Sequence, residues 1–504
     1  MKKLKYSLFI IAYLFVYQVS AQVDSKHLDS YIQQAVKEYE LPGLAISLVK
    51  DGDVEYQKAF GFENEPKQIP LKTNSTFGIA SLSKAFTATA IAMLVDDGKL
   101  KWDDKVSRHL KYFKLSDDYV ASQLTVEDLL AHRSGFDTFD GDLLWYGTNY
   151  SREEIIKRFS KYPMTYDFRT SYGYQNIMFI IAGEIVEEVS GMSWDAFIES
   201  RIFKPLGMNN SYTSINQFKS ETSVAMPHVK GELDELRNYD NSGGAAALSS
   251  NVEDLSLWIK FWLNDGIVGN DTLLKAETHR KLLRLHTPIP TSSFDRKNGI
   301  EFKGYSQGWF LMDYDGDKVA HHGGGLPGYI SKLFIVPSQK IGGIILSNGE
   351  TSLPAAMMYK AIDVLKGNEN GPDWAGTYLA FSKRYEKHLA KKVEERVAAR
   401  NPKLKSNVDP KLLVGIYEDK VYGKAEVKFV GKELQFTMLA SKEIFTSKMT
   451  HWQQNTYEIK FKDKFLPNGY LTFNVNANGE VVNLKVDLPN PDFHFHNLDF
   501  VKQK

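Results

Sequence analysis

Residues 80–97, ASLSKAFTATAIAMLVDD, are the stretch that most limits how this chain can fold. They are rich in alanine and almost unbroken in apolar residues, and the stretch stops at Gly98. A surface helix needs a polar face, which this stretch lacks, so we predict a deeply buried helix. The full length of 504 residues exceeds what one typical core serves, so two or more domains are expected.

Strand-like and amphipathic segments surround the predicted buried helix. Residues 44–60 alternate between apolar and polar around Asp51-Gly52 and predict a β-hairpin. Because strands are predicted at both ends with helices between them, we expect an α/β (α+β) core whose sheet is closed by distant segments. The later strands are predicted at 329–336 and 341–347, and the helices at 125–133, 151–159, 176–191 and 193–203.

The hydrophobic pattern of the chain changes after about residue 367. The segment GNENGP lies there, and its Gly, Asn and Pro residues interrupt regular secondary structure. Apolar residues then recur at every fourth position among many Lys and Glu, which predicts one helix with an apolar stripe and a solvated face. From about 408 onward, short alternating runs are separated by turns, which indicates a small antiparallel β-barrel. The predicted divisions are a first domain at 22–366, a helical linker at 367–407 and a β-domain at 408–504. The stripe consists of Phe381, Tyr385, Leu389, Val393 and Val397.

The composition excludes several classes of function. Lys and Arg number 62 and are balanced by 62 Asp and Glu, so no nucleic-acid-binding face is expected. The absence of cysteine removes disulfides, thiol nucleophiles and thiolate metal sites. The adjacent His321 and His322 are a weak metal signal, since no HExxH or other spaced partner accompanies them. We expect neither a metal nor a cofactor.

The N-terminus, residues 1–21, has the layout of a secretory signal peptide. Three lysines precede an apolar run from Leu8 to Val16, and Val19-Ser20-Ala21 follows as the cleavage region. The alternative is a permanent membrane anchor, but the run is shorter than the ~20 residues that a span needs. We predict cleavage after residue 21, export to the periplasm or the exterior, and no stable membrane anchor afterwards.

A Ser-x-x-Lys pattern pairs a nucleophile with a base when both side chains lie on one face of a helix. Residues three apart are neighbours on a helix, whereas they point to opposite faces of a strand. The pattern occurs at Ser47 and Lys50 in the predicted hairpin, and at Ser81 and Lys84 in the predicted buried helix. Ser81 is therefore the candidate nucleophile and Lys84 its activating partner. The alternative role for Ser81 is a helix N-cap.

Two further elements carry polar chemistry. Tyr174-Gln175-Asn176 precedes a predicted helix. A tyrosine hydroxyl can accept the serine proton if a cation lowers its pKa from about 10, and an asparagine offers both donor and acceptor to an amide. Residues 321–328, HHGGGLPG, lead into an apolar strand, where glycine N–H groups can stabilise an oxyanion. Each element also has a structural alternative. In it, Tyr174 is an aromatic residue of the core with a helix cap beside it, and the glycines form a turn that leads into the strand.

Together, in this order, the three elements resemble the serine β-lactamases and penicillin-binding proteins. The closest branch is the class C type, which includes D-aminopeptidases, D,D-carboxypeptidases and esterases. Its second motif is Tyr-x-Asn and its third is Lys or His followed by x-Gly, here Tyr174-Gln175-Asn176 and His322-Gly323-Gly324. The resemblance covers about residues 25–366, and the last hundred residues look like the lipocalin-like domain often appended to this family. It extends to TVEDLLAHRSG at 125–135, WDAFIESRIFKPLGM at 194–208, GGAAALSSNVEDLSLW at 243–258 and GGGLPGY at 323–329.

The resemblance implies a β-lactamase/transpeptidase-like fold, with an antiparallel sheet flanked by helices, and a set of catalytic roles. Ser81 Oγ attacks a carbonyl carbon and forms an acyl-enzyme. Lys84 and Tyr174 share the proton transfers, and which of them is the resting base stays open. The backbone N–H groups of Ser81 and Gly325 form the oxyanion hole.

The resemblance also implies substrate contacts. Asn176 orients the substrate amide, and His322, Gly324 and Gly325 form the substrate-binding edge of a strand. His322 stands where β-lactamases carry lysine, and a neutral imidazole supplies less positive charge at pH 7. This difference counts against recognition of a β-lactam carboxylate.

Three functions remain open at this point. The first is a serine hydrolase acting on peptide, amide or ester bonds, with D-residue peptides or small esters as substrates. The second is a β-lactamase or D,D-carboxypeptidase, and the third is a non-catalytic binder of peptides or muropeptides. We expect a small peptide or ester as the partner and leave a homo-oligomer open. The β-domain contains no nucleophile–base pair, so we expect it to shape substrate access.

Overall fold

The computed structural model describes residues 23–504, so the predicted signal peptide lies outside the described residues. These residues form an N-terminal domain of helices and sheet, a long helix, and a C-terminal barrel. Within residues 23–504, no helix combines the length and the apolar character needed to cross a bilayer.

Helices and strands alternate along the N-terminal domain, whereas the C-terminal domain consists of strands. The helices are α1 (Ser25–Glu38), α2 (Ser83–Asp96), α3 (Val106–His109), α4 (Asp118–Gln123), α5 (Val126–Leu130), α6 (Arg152–Phe159), α7 (Asn176–Ser190), α8 (Trp194–Ile198), α9 (Lys204–Leu206), α10 (Val252–Leu263), α11 (Ala276–Leu282), α12 (Ser293–Lys297), α13 (Leu353–Leu365) and α14 (Trp374–Ala398). The strands are β1 (Gly43–Lys50), β2 (Asp53–Asn64), β3 (Ile69–Pro70), β4 (Phe77–Gly78), β5 (His228–Val229), β6 (Glu232–Leu233), β7 (Ser249–Ser250), β8 (Ile267–Val268), β9 (Asp271–Thr272), β10 (Thr287–Ile289), β11 (Lys303–Tyr305), β12 (Phe310–Tyr314), β13 (Asp317–Leu326), β14 (Tyr329–Val336), β15 (Ile341–Ser347), β16 (Gly415–Asp419), β17 (Gly423–Val430), β18 (Glu433–Met438), β19 (Thr446–Gln453), β20 (Thr456–Ile459), β21 (Gly469–Val475), β22 (Val481–Asp487) and β23 (Asp499–Lys502).

A nine-stranded antiparallel sheet organises the N-terminal domain, in the order β10-β11-β12-β13-β14-β15-β1-β2-β3. The hairpin of β1 and β2 turns at Asp51 and Gly52, whose φ angles of 52° and 90° suit a tight two-residue turn. β1 also pairs with β15, from Leu44 opposite Ser347 onward. Strands from the two ends of the domain therefore pair in one sheet. The predicted hairpin and the predicted closure of the sheet by distant segments are both confirmed.

The helix α2 is buried as predicted. Every residue from Ser83 to Leu94 is buried, and the side chain of Phe86 stacks on Trp258 with ring centroids 3.9 Å apart. The buried set includes Lys84, a residue type that is rarely buried unless its charge has a partner. The core of the domain is thus built around a helix that carries an ionisable group.

Two predicted helices are shorter than their sequence patterns. The segment 125–133 is helical only over α5, which a Thr125–Asp128 capping box starts, and His132 beyond it has a φ of 53° that a right-handed helix excludes. The segment 193–203 is interrupted after Ile198 by a π-helical turn. The Ser193 hydroxyl caps its start by accepting from Ala196 N.

The linker contains the predicted helix α14, and the apolar stripe on it is exposed. Its five members are between 44% and 64% exposed. Residues four apart on a 3.6-residue helix are rotated by about 40°, so the stripe winds around the helix. The helix α14 thus exposes its apolar stripe to solvent between the two domains.

The C-terminal domain is a closed eight-stranded antiparallel barrel, β16 to β23, which confirms the predicted architecture. The run from Phe493 to His496 alternates in the way typical of a strand but forms a turn. His494 and His496 do not share a strand face, because Phe495 N donates to Phe493 O across a tight turn at His494. The alternation of Phe and His imitates a strand, but both phenylalanines are buried by the turn while His494 Nδ1 lies 3.1 Å from Asp140 Oδ1 of the other domain.

Buried polar contacts fix the barrel against the N-terminal domain. Asp463 of the barrel is fully buried, accepts from Tyr146 Oη at 2.5 Å and forms an ion pair with Arg237 at 2.9 Å. The ring of Phe493 packs on Tyr146 with centroids 4.1 Å apart. These contacts place the barrel beside the segment 136–150, whose position the sequence patterns leave undefined.

Candidate active site

Ser81 lies on a 3-10 turn, Ala80–Leu82, immediately before α2. The turn refines the predicted position at the start of the buried helix. Ala80 has a φ of 51°, a left-handed conformation that costs an alanine about 1 kcal/mol or more. Strain of this kind at the residue before a candidate nucleophile is common where a side chain is aimed into a site.

Gly324 allows the sheet to approach this turn closely. A Cβ atom at Gly324 would lie 2.4 Å from Ile79 O and 3.0 Å from Ala80 Cβ. Ser331 Oγ, on the neighbouring strand β14, donates to Ile79 O at 3.0 Å. The predicted role of Gly324 as a substrate contact is therefore corrected, because this residue is buried beneath the turn that carries Ser81.

The Lys84 side chain is held by three oxygen atoms. Its Nζ lies 3.0 Å from Ser81 Oγ, 2.6 Å from Asn176 Oδ1 and 2.9 Å from Ala245 O. Two of these are carbonyl oxygens, which only accept. A neutral Lys84 amine donates its two protons to them, and its lone pair then points at the Ser81 hydroxyl. In this arrangement a neutral Lys84 amine has its lone pair available to the serine proton.

Burial shifts the pKa values of the two candidate bases in opposite directions. It lowers the pKa of Lys84 to about 7, although the charge of Asp142 opposes this shift. It raises the pKa of Tyr174 well above 10, although the adjacent Ser81 hydroxyl opposes this shift. At neutral pH a substantial fraction of Lys84 is therefore an amine, whereas Tyr174 keeps its proton. The Tyr174 ring lies over the Lys84 ammonium, 4.7 Å from Nζ to the centroid.

Asn176 connects Lys84 to a buried acid, Asp142. Its amide oxygen accepts from Lys84, and its Nδ2 donates to Asp142 Oδ2 at 2.6 Å. Burial raises the pKa of Asp142 to about 7. Asp142 was not among the predicted site residues, although an acid directly before the apolar run Leu143-Leu144-Trp145 was an available signal.

His322 is buried, and both of its ring nitrogens have partners in the protein. Nδ1 lies 2.6 Å from Gly323 O, which only accepts, so Nδ1 carries the proton. Nε2 therefore accepts from Tyr305 Oη at 3.0 Å. Burial lowers the pKa of His322 to about 3, so the imidazole is neutral. The ring forms part of the cavity wall, and its predicted contact with a substrate stays a prediction.

The cavity in front of Ser81 has a volume of about 690 Å³, within the range of small-molecule sites. Gly325 lines it beside Ser81, and the space in front of its Cα is open apart from Ile330. Trp145 and Tyr146 line the cavity and are also buried. The barrel contributes Phe465, Asp492 and Phe493 to the lining.

Most of the sequence matches known protein families. A family model described as beta-lactamase matches residues 28–365. The chain belongs to the beta-lactamase family. A second model, a domain of unknown function (DUF3471), matches residues 408–502, which is the barrel. Within residues 23–504, no group of three His, Cys, Asp or Glu is arranged to hold a metal ion.

Relatives of this beta-lactamase-family chain include fungal and bacterial proteins. An unguisins hydrolase of Aspergillus campestris is 26% identical over 358 residues, which are 66% of this chain and 64% of that protein. A penicillin-binding protein of Bacillus subtilis is 28% identical, over 68% of this chain and 76% of that protein. The chain thus spans just under two thirds of the fungal relative.

The fold of the whole chain is also found among solved structures. The octameric penicillin-binding protein homologue from Pyrococcus abyssi superposes with a TM-score of 0.60 at 24% identity, over 95% of this chain and 100% of that chain. The β-lactamase/transpeptidase-like fold with an appended barrel is thereby confirmed.

Proposed function

We propose that this protein is a serine hydrolase that cleaves peptide or ester bonds of small substrates through an acyl-enzyme. The observation that carries the proposal is the fully buried Lys84, whose Nζ lies 3.0 Å from Ser81 Oγ at the wall of a ligand-sized cavity. An ionisable group with a shifted pKa beside a hydroxyl in a cleft is the arrangement that nucleophilic catalysis requires. The relatives, which include a named hydrolase, support the same class of reaction.

The reaction proceeds in two steps. Ser81 Oγ bonds to the substrate carbonyl carbon while its proton passes to the Lys84 amine. The carbonyl oxygen, now negative, accepts from the N–H groups of Ser81 and Gly325. The bond to the leaving group breaks as that group takes a proton from Tyr174, which Lys84 reprotonates. Water then attacks the acyl-enzyme by the same transfers in reverse, releasing the acid and free Ser81.

Two acids line the cavity. Asp142 Oδ1 is buried and has no hydrogen-bond partner among residues 23–504, and Asp492 of the barrel lines the same space. Burial raises the pKa of both carboxyls and so favours their neutral forms, and a bound cation would favour the charged forms. These groups support a substrate with a free amino group next to the scissile carbonyl, such as a short peptide, including one that begins with a D-residue.

Replacing Asp492 with asparagine tests this preference. We expect D492N to lower kcat/KM for alanyl 4-nitroanilide about ten-fold, in whichever stereoisomer is hydrolysed, since one buried charge contact is lost. N-acetyl-alanyl 4-nitroanilide, which lacks the ammonium, should be unaffected. D487N, at an exposed barrel carboxylate paired with Arg396, is the control. Equal losses on both substrates, or none, would contradict ammonium recognition by Asp492.

A β-lactamase or D,D-carboxypeptidase activity is the second candidate. The neutral His322, with both nitrogens engaged, counts against a β-lactam carboxylate at that position. Turnover of nitrocefin at rates comparable to small esters would favour this candidate. A non-catalytic binder is the third, and it predicts no acylation of Ser81 by any ester.

We also propose that copies of the chain associate through the apolar stripe of α14. Two observations support this: the stripe is exposed, and the homologue from Pyrococcus abyssi is octameric. Light scattering should give a mass that is a multiple of the chain mass, and L389E/V393E should reduce it to one chain. S382E/K383E, on the same helix outside the stripe, should not. A monomeric wild-type protein, or an unchanged assembly in L389E/V393E, would contradict the proposal.

A further inference from the structure

A histidine with a left-handed backbone lies behind Tyr174, outside the lining of the cavity. His132 follows the end of α5 by two residues, within the segment TVEDLLAHRSG, and has a φ of 53°. Its side chain is fully buried, and burial lowers the pKa of the ring well below its usual value near 6.5, so the imidazole is neutral. No step of the proposed reaction uses this buried group.

His132 accepts a hydrogen bond on each side of Tyr174. Its backbone oxygen accepts from Gly173 N at 3.0 Å, and its ring Nδ1 accepts from Gln175 N at 3.1 Å. Because Nδ1 accepts, the ring proton lies on Nε2, which has no hydrogen-bond partner among residues 23–504. A buried donor without a partner destabilises a fold. Within the described residues, the imidazole therefore makes a single hydrogen bond, which holds the amide that follows Tyr174.

The backbone of Tyr174 is also held by the loop that follows His132. Thr138 Oγ1 accepts from Tyr174 N at 3.1 Å, and Phe139 N donates to Tyr174 O at 2.8 Å. Four hydrogen bonds thus fix the backbone of residues 173–175, and two of the four acceptors belong to His132.

The imidazole of His132 also packs between aromatic rings of the site. Its centroid lies 4.4 Å from that of Tyr174 and 4.3 Å from that of Tyr305, whose hydroxyl donates to His322. The Tyr174 ring in turn lies over Lys84 Nζ. A fixed backbone and a packed ring leave the Tyr174 hydroxyl few positions, and a displacement of about 1 Å in a reacting group can cost a hundred-fold in rate.

We propose that His132 is a positioning residue: its Nδ1 and its carbonyl oxygen hold Tyr174 in the orientation that proton transfer to the leaving group requires. This inference rests on the proposed function. His132 is fully buried and does not line the cavity, so it touches neither the substrate nor the transferred proton. Any loss of activity from a change at position 132 should therefore act through Tyr174.

Two variants of similar size test the acceptor. H132N places an amide oxygen where Nδ1 lies and suits a left-handed backbone, whereas H132L has no acceptor. Phenyl acetate is the substrate, because its leaving group, like a tyrosine side chain, has a pKa of about 10 and takes up a proton at neutral pH. We expect H132L to lower kcat about a hundred-fold and H132N to recover most of that loss. H279L, at another buried histidine outside the cavity lining, is the control and should leave kcat unchanged.

A double variant shows whether the effect passes through Tyr174. In the Y174F background no hydroxyl remains to be positioned, so H132L should cause no further loss of kcat. A further loss of about a hundred-fold in H132L/Y174F would overturn the proposal, because it would show that His132 supports the site in another way. Full activity in H132L, or equal losses in H132L and H132N, would overturn it too.

Hydrogen exchange measured by mass spectrometry separates this inference from the proposed function. In the peptide that contains residues 173–175, amide exchange should be faster in H132L than in wild type or H132N, and unchanged exchange in H132L would overturn the positioning role. If wild type and S81A hydrolyse phenyl acetate equally slowly, the proposed function fails instead, and the exchange result decides whether His132 holds this segment. If H132L does not fold, H132Q replaces it, since its amide oxygen lies one bond beyond the Nδ1 position, and the same losses are expected.

Discussion

Replacing Ser81 with alanine is expected to lower kcat toward small esters by at least about a thousand-fold while leaving the fold intact. The hydroxyl is the atom that would bond to the substrate carbon, and no other nucleophile shares its position. The half-exposed Ser81 side chain fills no core space, so its loss leaves no buried cavity. Steady-state hydrolysis of 4-nitrophenyl acetate measures the effect, and circular dichroism with thermal melting checks the fold.

The chain supplies a matched control for this variant. Ser47 begins the other Ser-x-x-Lys pattern, and it lies on β1, where Lys50 Nζ turns away to donate to Leu365 O at 3.2 Å. S47A should therefore leave kcat unchanged, although Ser47 is buried and its loss lowers stability. Full activity in S81A, or an equal loss in S47A, would remove Ser81 from the mechanism.

The second large effect concerns Lys84 and Tyr174, which we expect to act as one proton-transfer unit. K84A and Y174F should each lower kcat by about 100- to 10,000-fold, and the double variant should lose little more. The reason is that Lys84 takes the serine proton and Tyr174 delivers it to the leaving group, so either loss interrupts the same transfer. Multiplicative losses in the double variant would show two independent roles.

The pH dependence distinguishes the two members of the unit. Burial lowers the pKa of Lys84 to about 7, and only the neutral amine accepts a proton, so kcat/KM should rise as pH increases through about 7 and then level off. Tyr174, whose pKa is raised by burial, should contribute no limb below pH 9. A pH profile that is flat from 5 to 9 in wild type would contradict Lys84 as the resting base.

Local patterns in the sequence predicted the parts of the site that neighbouring residues define. The apolar run around α2 indicated a buried helix, and the three-residue spacing on a helix brought Ser81 and Lys84 together. The hairpin and the strands β14 and β15 followed from alternation and turn residues. These features depend on contacts within a few residues, which a pattern records directly.

Contacts between distant segments were harder to predict. Asp142 belongs to the site because a loop and a strand edge meet at one cavity, although an acid directly before the apolar run 143–145 was visible in the sequence. The turn at His494 and the entry of Phe493 into the cavity lining depend on how the barrel docks. No local pattern encodes that docking, so the barrel's share in the cavity could be expected only in general terms.

Mass spectrometry after reaction with a fluorophosphonate is the most direct test of the central claim, that Ser81 is a nucleophile activated by Lys84. We expect one phosphonyl adduct per chain, on the peptide that contains Ser81, with the labelling rate rising as pH increases through about 7. K84A should be labelled far more slowly than wild type. An adduct on any other residue, or labelling of Ser81 at the same rate in K84A, would contradict the account.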